Sequence, residues 1–281
     1  MTPLTIPFVK LHGAANDFVV IDHRKRFLPE AEERRRLVMS VCHRRRGIGA
    51  DGVLLLERDP ELDFAMVYYN ADGGTADYCG NGARCLARLA LDLGLGRDGT
   101  VRFRTAVGPQ SAKRLADGRI DVHFGAVRNS GPSVRLAACG RTFEGRVFEA
   151  GVPHFVTPVE RVADVPIAEW GPPLRRHPSF GPAGANVDFV APLEPGRIAM
   201  RTWERGVEGE TLACGSGAIA SALWAAAEGH RSPVRIVTAG GDELEVTLRA
   251  AAGGWDVNLA GPAEVAFTGS WSEQTAGAIP G

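Results

Sequence analysis

The sequence predicts an α+β protein of two pseudo-symmetric lobes, each a mainly antiparallel sheet wrapped around a buried central helix, with the active site in the cleft between them. Three observations carry this expectation. First, the stretch Cys79-Gly-Asn-Gly-Ala returns as Cys214-Gly-Ser-Gly-Ala, the two cysteines separated by close to half of the 281-residue chain. Second, each copy opens a helix-length run of apolar and small residues, which can only be stable if it is buried. Third, short strand signals at hairpin-like spacing fill the rest, without the regularly alternating helices of a parallel doubly wound sheet. The expected boundaries place residues 1–124 with 265–281 in an N-terminal lobe carrying Cys79, and residues 125–264 in a C-terminal lobe carrying Cys214.

In chain order, Leu4 to Lys10 and Phe18 to Asp22 read as strands on either side of a Gly-Ala-Ala turn. A charged amphipathic helix comes next and ends near Gly47, with Leu37, Val38 and Val41 inward and Arg34 to Arg36 and Arg44 to Arg46 on its wet face. The glycine-rich turn Gly47 to Gly52 feeds a buried strand, Val53 to Leu56. Phe64 to Tyr69 is a further strand, and the polar loop Asn70 to Asp77 delivers the chain to Cys79. The helix after Cys79 carries Arg84, Arg88 and Asp92 on one narrow polar stripe and stops at Gly94. Strand signals recur at Val101 to Thr105, Arg119 to Phe124, Thr142 to Glu149 and Phe155 to Val159. The proline-rich stretch from Arg161 to Pro182 has little periodicity and reads as an irregular crossing segment. Asn186-Val-Asp-Phe-Val190 echoes Asn16-Asp-Phe-Val19, and Ile198 to Glu204 is a strand that leads into the second cysteine helix, which has no charge between Cys214 and Glu228 and closes at Gly229. Val234 to Thr238, Glu243 to Leu248 and Asp256 to Leu259 supply closing strands, and Val265 to Phe267 returns the chain to the first lobe.

The composition, 44% hydrophobic and 23% charged, is that of a soluble globular protein. A formal net charge of −1 excludes a global field that would draw nucleic acid or an anionic membrane. The N-terminus lacks the features of a secretory signal, and no segment approaches the ~20 apolar residues that span a bilayer, so the cytoplasm is the expected compartment. The five cysteines are odd in number and scattered, unlike a secreted disulfide framework, and no pair has Cys-x-x-Cys spacing; no metal is expected. Cys42, Cys85 and Cys139 read as small buried hydrophobes.

Cys79 and Cys214 read differently because each stands at the start of a helix and is succeeded by glycines. A cysteine at the first turn of a helix sits where unpaired backbone N–H groups and the helix dipole favour negative charge, so its thiol is expected to ionise more readily than usual. The glycines after it leave the N–H groups unshielded, so a substrate carboxylate can lie on the same helix end. If both helices point into one cleft, the two sulfurs flank the α-carbon of that carboxylate from opposite sides. One thiolate then removes the α-proton while the opposite thiol delivers another, which is racemisation or epimerisation without a cofactor.

The motifs Asn16-Asp-Phe-Val, Gly47-Ile-Gly-Ala-Asp51, Asn70-Ala-Asp-Gly73, Cys79-Gly-Asn-Gly-Ala-Arg-Cys85, Pro153-His154, Asn186-Val-Asp-Phe-Val190, Glu204-Arg-Gly206 and Glu210-Thr-Leu-Ala-Cys-Gly-Ser-Gly217 resemble, in the same order, those of the diaminopimelate epimerase family. The resemblance runs from about Lys10 to Gly261. It implies interconversion of LL- and meso-2,6-diaminopimelate on the bacterial route to lysine and peptidoglycan, without pyridoxal phosphate or any other cofactor. By the same resemblance Cys79 and Cys214 are the acid/base pair, and Gly80, Asn81, Gly215 and Ser216 donate N–H groups to the carboxylate at the reacting centre. Asn16 and Glu204 sit near its ammonium. Asn70, Asn186 and Arg205 hold the distal end, and His154 and Glu204 are polar groups near the thiols. The implied partner is the small-molecule substrate alone, with neither nucleic acid nor membrane; a homodimer is left open.

Three positions depart from the family pattern. Val152 precedes Pro153-His154 where members often carry Asn, Gly52 stands where some have Gln, and the Glu204 to Thr211 loop is one residue longer than the commonest form. Two other readings compete: a racemase or epimerase of another amino acid, such as proline, which has no use for a distal clamp, and a non-catalytic thiol redox or amino acid binding protein on the same scaffold.

Overall fold

The computed structural model describes residues 5–75, 78–128 and 131–272. Leu4, at the start of the first expected strand, Asp77, at the end of the polar loop, and residues 273–281 of the expected N-terminal lobe lie outside the described residues. The chain divides into two compact units, Met1–Ile120 with Ala263–Gly281, and Asp121–Pro262.

In the first unit, β1 (Thr5–Gly13) and β2 (Asn16–Asp22) form an antiparallel hairpin whose turn residues, Ala14 and Ala15, take positive φ. Helix α1 (Ala31–Cys42) carries the chain to β3 (Gly52–Glu57), which lies parallel to β2 and antiparallel to β4 (Phe64–Asn70). Helix α2 (Gly80–Asp92) then crosses to β5 (Thr100–Thr105), parallel to β4 and antiparallel to β6 (Gly108–Arg114). Every one of these strands packs against α2, whose buried face is made of Ala83, Cys85, Leu86, Leu89 and Ala90. Leu37, Val38 and Val41 of α1 cover Ile21, Val53 and Leu55.

The second unit opens with β7 (Ile120–Arg128) and the hairpin of β8 (Ser133–Ala138) and β9 (Arg141–Glu149), which is antiparallel to β10 (Pro153–Pro158). Helix α3 (Ile167–Arg175) links β10 to β11 (Asn186–Glu194), parallel to it; β12 (Arg197–Glu204) is antiparallel to β11 and turns into the short β13 (Gly209–Thr211). Helix α4 (Gly215–Ala227) leads to β14 (Val234–Val237), parallel to β12, and β15 (Glu243–Ala251) and β16 (Gly254–Gly261) complete the sheet. The strands from β9 to β12 and from β14 to β16 pack around α4. The chain ends its described course in the first unit as β17 (Glu264–Ser272), antiparallel to β1.

The two units repeat one plan. Two antiparallel strands, a parallel step through a short helix, two more antiparallel strands, a parallel step through the cysteine helix, and a closing hairpin occur in each. Ladders are therefore mainly antiparallel, with two parallel steps per unit among the described residues. Both cysteine helices have thirteen residues and both take cysteine as N-cap.

Four expectations are corrected. Helix α1 ends at Cys42 and not near Gly47, because the ring Nδ1 of His43 accepts the N–H groups of Arg45 and Arg46 and the chain folds back over the helix end; Arg44 to Arg46 lie in that loop. Arg84 does not belong to a wet stripe: it is fully buried, and its guanidinium donates to Asn81 Oδ1 at 2.7 Å. The stretch after Arg161 contains α3 in spite of Pro172 and Pro173, since Trp170 packs on Phe143 and Phe189 while Gly171 lies against the Trp203 ring; tertiary contacts override the cost of proline. Cys139 is exposed at the turn of the β8–β9 hairpin with φ +51, next to Gly140 with φ +69, and is no part of a core. Cys42 and Cys85 are buried, and burial pushes each thiol up to about 12.

Candidate active site

In the first unit Cys79 precedes α2 in extended backbone conformation (φ −144, ψ 116), and its sulfur accepts the N–H of Gly82 at 3.4 Å. The first intrahelical bond runs from Ala83 N to Cys79 O, so the N–H groups of Gly80 and Asn81 precede the helix ladder. Cys79 Sγ donates to Asn16 Oδ1 at 3.6 Å, and the same oxygen accepts Asn81 Nδ2 at 3.2 Å. Asn16 is itself oriented from behind: its Nδ2 donates to Asp51 Oδ2 at 2.7 Å. Arg44 bridges Asp51 and Asp17, and Lys10 donates to Asp17 and to the Gly49 carbonyl. Burial pushes Asp17 up, but hydrogen bonds from Arg44 and Lys10 outweigh it and hold the carboxyl far below its usual range. Asn70 closes β4 at the surface, opposite Gly52 in the ladder.

In the second unit Cys214 precedes α4 in the same manner (φ −116, ψ 115), with Gly217 N donating to its sulfur at 3.4 Å and Ser216 Oγ 3.5 Å away. Gly215 and Ser216 precede the first intrahelical bond, Ala218 N to Cys214 O. The Glu204 carboxyl accepts Thr211 Oγ1 at 2.5 Å and is raised by burial. Arg205 donates its backbone N–H to Asn186 Oδ1 at 2.7 Å, Asn186 Nδ2 faces His154 Nε2 at 3.1 Å, and His154 Nδ1 faces Asp188 Oδ2 at 2.7 Å.

The expectation of an easily ionised thiol is corrected at Cys214. Burial, together with the negative charges of Glu204 and Asp188, pushes this thiol well above its ordinary value, against the hydrogen bonds of Ser216 and Gly217 N. A helix end contributes about 0.3–1 kcal/mol toward a nearby anion, less than the cost of a poorly solvated charge beside two carboxylates. The surroundings of Cys214 therefore favour its protonated form.

Two departures have structural explanations. A Cβ at position 52 would lie 2.4 Å from the Tyr69 carbonyl and 2.6 Å from the Tyr68 ring, so this strand accepts only glycine there. The longer Glu204 to Thr211 loop is the β12–β13 hairpin, with Glu208 at φ +55 and its carboxylate held by Arg175 and Arg176 at 2.7 Å each. Nothing in the structure explains Val152.

Asp51, Asp188, Thr202 and Thr211 join the site without having been singled out by the sequence. The available signal was position: Asp188 lies two residues after Asn186, on the same face of β11, in the Asn186-Val-Asp-Phe-Val190 motif.

Solved structures of this fold include a hydroxyproline epimerase from Agrobacterium vitis (17% identical, TM-score 0.66, covering 96% of this chain and 93% of that one) and a PhzF-family phenazine biosynthesis protein from Bacillus anthracis (14% identical, TM-score 0.70, covering 95% and 99%). The fold is thus the two-unit α+β fold on which an amino acid epimerase is known. The profile of the diaminopimelate epimerase family matches residues 8–129 and 146–264. Diaminopimelate epimerases from Aquifex aeolicus (41% identical, covering 85% of this chain and 88% of the relative) and from a Hydrogenobaculum species (35% identical, covering 94% and 97%) are among its relatives. The chain belongs to the diaminopimelate epimerase family.

The helix ends differ in how they tolerate a side chain. A Cβ at Gly217 would lie 2.6 Å from Asp188 Oδ1, whereas one at Gly82 would meet only the Leu54 and Met66 side chains at 3.2 Å or more. Gly217→Ala should therefore cost about 1–3 kcal/mol of stability and Gly82→Ala less, as read by denaturant unfolding. Replacing Glu204 by Gln removes a negative charge that raises the Cys214 thiol, so more thiolate is present at a given pH. Alkylation of Cys214 by iodoacetamide at pH 8 should then be several-fold faster in Glu204→Gln than in the wild type; equal or slower alkylation would show that the Glu204 charge does not raise this thiol.

Proposed function

We propose that the chain interconverts LL- and meso-2,6-diaminopimelate without a cofactor, with Cys79 and Cys214 exchanging protons with opposite faces of one α-carbon. Family membership supplies the substrate. The observation that carries the mechanism is the duplicate one: in each unit a cysteine caps a buried helix, its sulfur on the third N–H of the first turn.

The substrate carboxylate lies on the N–H groups of Gly80, Asn81, Gly215 and Ser216, which precede the helix ladders. As the α-proton leaves, charge moves into that carboxylate, where these N–H groups and two helix ends stabilise it most. In one direction Cys79 is the thiolate base and the Cys214 thiol the acid; in the other the roles exchange. Asn16 accepts the Cys79 S–H through its amide oxygen when that sulfur is protonated, and lies with Glu204 near the substrate ammonium. Arg205 grips the distal carboxylate with its planar guanidinium, Asn70 lines that end, and Asn186 acts there by holding Arg205. The cytoplasm is the compartment, as for a soluble precursor-forming enzyme.

General acid/base groups contribute roughly 10²–10⁴-fold. Cys79→Ser and Cys214→Ser should each lower conversion of LL-diaminopimelate to the meso form by about 10³-fold with the circular dichroism spectrum unchanged, and the wild type should not racemise L-proline. Full turnover in either variant would overturn the mechanism. Proline turned over faster than diaminopimelate would favour the rival substrate, and tight binding without turnover would favour the non-catalytic reading.

A further inference from the structure

His154 and Asp188 are both fully buried, yet neither is used in the chemistry above. Their surroundings fix what they can do. Strand register sets His154 of β10 beside Asn186 of β11, and Asp188 of β11 beside Thr202 of β12. Thr202 Oγ1 donates to Asp188 Oδ1 at 2.7 Å, and Asp188 Oδ2 faces His154 Nδ1 at 2.7 Å. His154 Nε2 faces Asn186 Nδ2 at 3.1 Å, and Asn186 Oδ1 accepts the Arg205 N–H at 2.7 Å.

The direction of this row of hydrogen bonds is set at both ends. A backbone N–H can only donate, so Asn186 must turn its carbonyl oxygen to Arg205 and its NH2 to His154. The Nε2 facing that NH2 must accept, which leaves the ring proton on Nδ1. There Asp188 Oδ2 receives it. Reversing any member would set two donors against each other in a buried row. Both ring nitrogens of His154 are thus spent on protein partners. Asp188 also touches the cysteine helix: the Cα of Gly217 approaches so closely that a Cβ would stand 2.6 Å from its Oδ1 and 3.2 Å from Cys214 Cβ.

We infer that Asp188 is a positioning residue for the reaction: from beneath the cysteine helix it fixes the His154 tautomer and, through His154 and Asn186, locks the Glu204–Arg205 peptide beside Cys214. His154 is a link in this row. The inference rests on the proposed epimerase reading for its effect on turnover, while the row itself is independent of substrate.

The test is long-range 1H–15N NMR on reduced protein labelled at histidine, read with diaminopimelate kinetics. His154 should show a protonated Nδ1 and an unprotonated Nε2 at neutral pH. Asp188→Ala should lose that tautomer preference and raise KM for diaminopimelate by about tenfold or more. Asp188→Asn keeps an acceptor oxygen for His154 Nδ1, and it should restore the tautomer and most of the KM. An Nε2–H tautomer, or protons on both nitrogens in the wild type, would overturn the inference. So would an Asp188→Ala protein with unchanged tautomer and KM. If Asp188→Ala does not fold, the wild-type spectrum and the Asp188→Asn variant still decide. A chain inactive on diaminopimelate that nevertheless shows the Nδ1–H signature would refute the proposed function and support the row.

Discussion

A sulfur on the third N–H of a buried helix is the contact on which the rest of the architecture depends. The start of any helix leaves donors that its own carbonyls cannot satisfy, and burying them without partners is costly. Here the cap is a thiol, Cys79 or Cys214, which accepts the donor of the third helical position. A helix such as α4, with no charged residue, is stable only inside a sheet that surrounds it, and the strands of its own unit do so. Glycine at the third helical position serves the same end differently in each unit. Gly82 leaves room for aliphatic packing, and Gly217 makes room for a carboxylate.

The two units hold their cysteines by different means. In the first, a charged lattice of Lys10, Asp17, Arg44 and Asp51 orients Asn16 from a partly exposed position, and Asn16 presents its amide oxygen to the sulfur. In the second, support comes from buried groups, with Asp188 beneath the helix and Ser216 and the Gly217 N–H on the sulfur. The physical consequence is unequal: burial and two nearby carboxylates keep the Cys214 proton in place. A two-base reaction starts with one thiol protonated and the other not, and this asymmetry of environment suits it.

Much of this was legible in the sequence because two patterns are local. The uncharged run after Cys214 and the recurrence of Cys-Gly-x-Gly-Ala announce buried, capped helices without knowledge of their neighbours. What escaped depends on partners distant in sequence. Arg84 looks like a surface residue until Asn81 and the surrounding strands enclose it. Helix α3 carries two prolines, and what holds it is the fit of Trp170 and Gly171 against Phe143, Phe189 and Trp203. The internal repeat offered a clue, since α3 takes the place in its unit that α1 takes in the other. At Cys139 composition favours a buried cysteine, whereas the positive φ of a tight hairpin turn decides its exposed position. Asp188 was visible only as part of a motif, and its role depends on register across three strands.

Whether two separate bases act on one α-carbon is tested most directly by incubating the reduced protein with LL-diaminopimelate in deuterated water and following both isomers at low conversion. Two monoprotic thiols predict that newly formed meso product carries solvent deuterium at the inverted centre while remaining LL substrate keeps its hydrogen. Early appearance of deuterium in the unconverted substrate, or return of the substrate's own hydrogen to the product, would mean that a single base serves both faces and would contradict the two-thiol mechanism.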